Sequence, residues 1–253
     1  MQSSNPAFND NLLSHFDNAG IRSTTMTVTG TALKSFILLA LLMTSAVWSY
    51  NEASNGDLGG GLLIGSAIGG MILALVTIFK PTLAAWTSPV YSVLEGIFLG
   101  AISQQVDMRY ASQMKTEGSS IAIQAVALTA ATLFSMLFLY ATRIIRVTQQ
   151  LTTAIFAATS AIALVYLVSM VVNLFGGHVP YIHDSGVIGI GFSVFVVGLA
   201  AFNLLLDFDF IERGSESGLP KSMEWYGAFG LMVTLVWLYL EVLRLLRKLQ
   251  DRR

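Results

Sequence analysis

Residues 61–79 read Gly61-Leu62-Leu63-Ile64-Gly65-Ser66-Ala67-Ile68-Gly69-Gly70-Met71-Ile72-Leu73-Ala74-Leu75-Val76-Thr77-Ile78-Phe79, nineteen positions without a charge. Asn55-Gly56-Asp57 stand before the run, and Lys80-Pro81 end it. A helix needs about 20 mostly apolar residues to cross ~30 Å of hydrocarbon, so this stretch has the length and chemistry of one crossing. In lipid the backbone must satisfy its own polar groups within the segment, which selects a helix. A transmembrane barrel would show short alternating segments instead.

Six further stretches read the same way: Ala32–Tyr50, Ser88–Val106, Ser120–Tyr140, Leu151–Phe175, Gly186–Leu206 and Tyr226–Leu246. The gaps between them are short and punctuated, as in Gly176-Gly177 with Pro180 and Gly218-Leu219-Pro220. The expectation is an all-α, polytopic membrane protein of about seven transmembrane helices. Residues 1–31 read as a polar N-terminal leader bearing Asp10, Asp17 and Arg22, with no cleavable signal peptide. Residues 32–250 read as a single transmembrane helical domain, and 251–253 as the end of a basic C-terminal tail. Composition agrees: 54% of the 253 residues are hydrophobic and only 11% charged, against roughly 25% charged in soluble domains. So little charge cannot cover a water-facing surface. The formal net charge of −1 gives no reason to expect nucleic acid, and the absence of cysteine excludes disulfides and thiolate metal sites.

Lysine and arginine favour cytoplasmic loops. With the N-terminus inside, the inner side holds Arg22, Lys34, Lys80, Arg143, Arg146, Arg213 and Lys221, while the outer loops hold Arg109 and Lys115. Seven crossings then put Arg244, Arg247, Lys248, Arg252 and Arg253 outside, which ties the two sides. The charge rule therefore places the N-terminus in the cytoplasm and leaves two readings of the last segment: a full crossing, which its contiguous length favours, or a re-entrant one. A cell (inner) membrane is the expected location.

An ionised side chain in a bilayer costs at least ~2.5–3.5 kcal/mol on insertion scales, so acids kept there mark candidate function. Glu95 lies about 10 Å into the third stretch. Asp207 and Asp209 close the sixth, Glu224 opens the last beside Trp225 and Tyr226, and Glu241 lies late in it. Alternating directions put Glu95, Asp207, Asp209 and Glu224 in one layer near the inner side. Asp207 and Asp209 are about 200° apart around a helix, so only one can face the bundle. Glu241 lies about 25 Å beyond Glu224 along the helix, near the opposite face. Carboxylates that crowd together cannot all ionise, and oxygen ligands suit Ca²⁺. The expectation is a proton-sensitive acidic set that gates or binds a cation, with Asp207, Asp209 and Glu224 as Ca²⁺ candidates. The bland readings are a packing residue for Glu95, a solvated helix end for Asp207 and Asp209, a helix N-terminal acid for Glu224 and an i,i+3 partner of Arg244 for Glu241.

Other chemistry is thin. His178, His183 and Asp184 read as a solvated loop, His15 as part of the leader, and the basic tail as a flanking stop signal. Gly65-x-x-x-Gly69, with Gly70, forms a small-residue face that normally serves close helix packing. No catalytic motif is recognisable, so an enzyme is not expected.

Taken in order, four segments resemble the Bax inhibitor (transmembrane Bax inhibitor motif) superfamily, in a mainly bacterial subgroup. They are Ser4-Asn5-Pro6-Ala7-Phe8, Tyr91-Ser92-Val93-Leu94-Glu95-Gly96-Ile97-Phe98-Leu99-Gly100, Leu205-Leu206-Asp207 with Ile211, and Leu238-Tyr239-Leu240-Glu241. The resemblance implies seven helices with the last packed centrally among the others. It also implies a pH-sensitive Ca²⁺ leak controlled by two acids on the last two helices, here Asp207 and Glu241. The second acid is Glu where the family pattern has Asp, and the intervening loop looks longer. The resemblance further implies a basic latch near the second helix, for which Lys80 is the nearest candidate. No cofactor is expected beyond Ca²⁺ as a transported ion. The expected partner is the lipid bilayer. The alternative function is a non-transporting regulator that binds other membrane proteins, such as a membrane protease or a cell-death factor.

Overall fold

The computed structural model describes residues 25–110, 120–176 and 186–252. Among them are seven α-helices and no strand: α1 (Val28–Asn55), α2 (Gly60–Phe79), α3 (Ala84–Tyr110), α4 (Ile121–Ala141), α5 (Gln149–Leu174), α6 (Val187–Glu216) and α7 (Met223–Asp251). The all-α expectation is met. The leader's last residues behave differently from expectation, since α1 starts at Val28 and not at Ala32. Thr27 makes that start possible: its hydroxyl accepts from Gly30 N at 2.9 Å and caps the helix. Ser120 and Thr148 cap α4 and α5 in the same way. Gly56, at φ 81°, ends α1 in the left-handed region, where a side chain would be strained. Pro81 cannot continue α2 and opens a 3₁₀ turn, Pro81–Leu83, that leads into α3.

Six of these helices are long and apolar enough to cross a membrane by length and composition. The exception is α3, which carries Glu95, Gln104, Gln105, Asp107 and Arg109. Position explains it. α3 packs against α1, α2, α4 and α7. Its Ser88, Ser92, Ser103, Gln104 and Asp107 are buried among those neighbours, away from lipid. At 27 residues it is as long as the helices that flank it. The apolar requirement falls on residues that meet hydrocarbon, and this helix meets comparatively little of it.

The last helix is the centre of the bundle. It packs against α1, α3, α4 and α6. Half of its most apolar window is buried, against 17% for α1, α2, α4 and α5. Those four outer helices turn large apolar side chains outward, as Phe79, Trp86 at the start of α3 and Phe175 also do. That pattern suits a protein whose solvent is lipid. α7 is one uninterrupted helix, about 43 Å long at 1.5 Å per residue, which is enough for a full crossing. Its continuation to Asp251 also changes the reading of the basic tail. Arg244 and Lys248 belong to the helix and bond within the bundle, as described below.

Candidate functional site

Glu224 begins at the first turn of α7 and is 1% exposed. Its Oε1 accepts from Thr27 N at 3.0 Å and from the Thr27 hydroxyl at 2.9 Å, while Oε2 pairs with Lys34 Nζ. Lys34 in turn lies 5.5 Å from the centre of the Trp225 ring. Gly30 faces the carboxylate so closely that a Cβ there would meet Oε1 at 2.3 Å. Beside this cluster, Met26 N donates to Leu219 O at 2.7 Å, and Thr25 and Pro220 form an isolated bridge. The start of α1 is thus clasped to the α6–α7 turn, and the acid at its heart is fully partnered.

Asp207 has the opposite setting. It projects from α6 toward α7, where a Cβ on Gly230 would lie 3.8 Å from Oδ1. Thr234 is its polar neighbour. Its Oδ2 is sealed from solvent and has no hydrogen-bond partner among the described residues. Asp209, two residues on, points out and pairs with Arg213 one turn later, Oδ2 to Nε at 2.8 Å. Glu95 is half-buried between α3 and α2, against Gly70, where a Cβ would meet its Oε1 at 2.7 Å. No ion pair or hydrogen bond reaches Glu95 from the described residues.

Glu241, also 1% exposed, makes the i,i+3 pair with Arg244: Nη1 lies 2.8 and 2.9 Å from its two oxygens. Tyr166 of α5 donates its hydroxyl to Oε1 at 2.9 Å, and the Arg244 guanidinium stacks 4.8 Å from the Tyr166 ring centre. One turn later Lys248, 1% exposed, donates to Gly189 O of α6 at 2.9 Å. These two cations tie α7 to α5 and α6.

The acids read into one inner layer do not share partners among the described residues. Glu95, Asp207, Asp209 and Glu224 take four separate sets of neighbours. Depth along a helix says nothing about which way a side chain points around it, and rotation separates them. Among the described residues no three His, Asp or Glu side chains gather as a metal would need. Among the described residues Asp207, Asp209 and Glu224 do not gather into such a group. His15, His178, His183 and Asp184 lie outside the described residues.

A family model described as Bax inhibitor 1 like matches residues 5–251, essentially the whole chain. The chain belongs to the Bax inhibitor 1 like family. No curated protein and no solved structure matches it. The family is not one of enzymes.

Within this Bax inhibitor 1 like chain, the two acids singled out by resemblance stand apart. Asp207 faces Gly230 and Thr234, whereas Glu241 lies seven residues beyond Thr234, about 10 Å further along α7, and is neutralised by Arg244. Lys80 is exposed at the end of α2 and makes no ion pair among the described residues. Lys34, on α1, closes onto Glu224.

Two features escaped the sequence. Asp107 accepts from Tyr50 OH at 2.9 Å, from the Ser120 hydroxyl, and from Ile121 N and Ala122 N at 2.7 and 3.2 Å. It thereby caps the start of α4 from another helix, where the helix dipole favours negative charge. Its signal was faint, a lone acid ahead of a Ser-led apolar run. The second is the packing role of Gly96-x-x-x-Gly100 on α3, two glycines that stand in the segment carrying the family resemblance. A Cβ on Gly96 would meet Leu42 O at 2.3 Å, and one on Gly100 would meet Ala46 O at 2.1 Å. This is where two backbones touch, α3 against α1. On α2 the tight positions are Gly69 and Gly70, while Gly65 faces open space. The motif was visible; which copy of it crosses a neighbour depends on helix rotation.

Proposed function

We propose that this family member is a cation leak, with Ca²⁺ the expected ion, whose conducting state responds to the charge on Asp207. One observation carries the reading: Asp207 Oδ2 sits sealed beside the central helix with no partner, while Asp209, Glu224 and Glu241 are each neutralised by a cation. An ionised carboxylate in that position needs a proton or a passing cation to stabilise it. Asp207 faces Gly230 of α7, and any change at Asp207 is felt directly by the helix that four others pack around. The buried hydroxyls of Ser88 and Ser92 on α3, also without hydrogen-bond partners, supply further polar surface inside the bundle. Glu95 is the second candidate along such a path. Glu224 and Glu241 act in this reading as fixed struts. The N-terminus lies in the cytoplasm of a cell with this protein in its inner membrane.

The test is Ca²⁺ flux into proteoliposomes between pH 6 and 8. The wild type should conduct, with a rate that differs across this range, and Asp207→Asn should remove the difference. Absence of flux at every pH refutes the proposal, as does a pH profile untouched by Asp207→Asn. The rival, a non-transporting regulator of other membrane proteins, draws on α5, which packs mainly on α6 and leaves most of its surface to lipid. It predicts no flux and stable co-purification with a membrane-protein partner.

A further inference from the structure

A cavity of about 520 Å³ opens sideways between α1 and α4. Its floor is α3 and α7, through Leu99, Met232 and Val236 among others. Its mouth is rimmed by Met43 and Val47 of α1 and Ile123 and Val126 of α4, all exposed on the lipid side. The lining is almost wholly apolar. Water holds a buried site only where it finds two to four polar partners, and of the five hydroxyls in this wall Tyr50 and Ser120 are already bonded to Asp107 and Ser103 to Tyr239, which leaves Thr129. The volume falls in the range of roughly 300–1,000 Å³ that accommodates one small molecule.

Length and polarity narrow the occupant. On α1 the lining runs from Leu39 to Tyr50, about 16 Å, and on α4 from Ser120 to Leu133, about 20 Å. One leaflet of hydrocarbon is about 15 Å deep, half of a core near 30 Å. One end of the groove is polar: Tyr50 and Ser120 meet there, both bonded to Asp107. The other end, Leu39 and Leu133, is hydrocarbon. The groove thus has the length, slenderness and one-ended polarity of a single leaflet's lipid chain. The acid at its polar end disfavours a free fatty acid, whose carboxylate would face Asp107.

We propose that this groove holds one acyl chain of a bilayer glycerolipid, entering between α1 and α4 with its ester end toward Tyr50 and Ser120. The occupant wedges between two outer helices and rests on the central one. It touches Met232 and Leu235 on the stretch of α7 that also contains Thr234, the neighbour of Asp207. The lipid site stands on its own geometry and does not depend on the cation leak.

The experiment is photolabelling in nanodiscs of phosphatidylcholine carrying a mid-chain diazirine, with the labelled residues mapped by mass spectrometry. Label should concentrate on groove positions such as Met43, Ala130 and Leu133. Ala130→Trp, which fills the groove, should lower that label several-fold and leave label on the outer face of α5, at Leu164 and Leu167, unchanged. Val126→Trp, at the exposed rim, makes the same test if Ala130→Trp does not fold. Label spread evenly over all lipid-facing helices would overturn the proposal. So would groove label that neither variant reduces, or a groove that cross-links to a second copy of the chain in place of lipid.

Discussion

Asp207 and Glu224 lie on consecutive helices, the first on α6 facing α7 and the second in the first turn of α7, yet their surroundings differ completely. Glu224 is met by a lysine, a hydroxyl and a backbone N–H, all from α1. Asp207 meets a glycine and a threonine of α7, and one of its oxygens has no partner. Burying a charge is costly unless it is paired and hydrogen-bonded. The first acid satisfies that condition and joins two ends of the chain. The second leaves the condition open to a proton or an ion. A buried acid with full partners reads as a strut, and one without them reads as a sensor.

The sharpest way to break this comparison is to strip Glu224 of its lysine. Lys34→Ala leaves a carboxylate buried without its counter-charge and should cost about 3 kcal/mol or more, read as a large fall in melting temperature in detergent. Adding Glu224→Gln to that variant should recover part of the loss, because the orphaned charge is gone. An additive double mutant would show that the pair is not coupled.

Next in size is Gly30→Ala. Its Cβ would push into Glu224, so thermal unfolding should report a loss of about 1–3 kcal/mol, and a neutral result would mean the clasp yields easily. Asp207→Asn should behave in the opposite manner. With no ion pair to lose, its melting temperature should change by less than the equivalent of ~1 kcal/mol, while the pH dependence of flux disappears. A large loss of stability there would make Asp207 a strut as well. The smallest effect belongs to Arg213→Ala. Its pair with Asp209 is half in water, so the change should stay within about 0.5 kcal/mol and leave flux unaltered.

Number, type and approximate limits of the helices were legible in the chain because hydrocarbon imposes a simple local rule: about 20 residues without charge. That rule reads residues 61–79 without reference to anything else. It strains at α3, where polar residues are tolerated because neighbouring helices cover them. It misjudged the start of α1 by four residues because a cap, Thr27, extends the helix beyond its apolar part.

What the chain alone determined, then, is a lipid-embedded bundle of seven helices and a short roster of acids too costly to be there without reason. Which acids are satisfied was decided only in three dimensions. Partners come from far along the chain: Lys34 reaches Glu224, Tyr50 reaches Asp107, and Tyr166 reaches Glu241. The rotation of each helix about its axis selects those partners. That rotation is set by packing at contacts such as Gly96 and Gly100 against the α1 backbone, which no local pattern specifies.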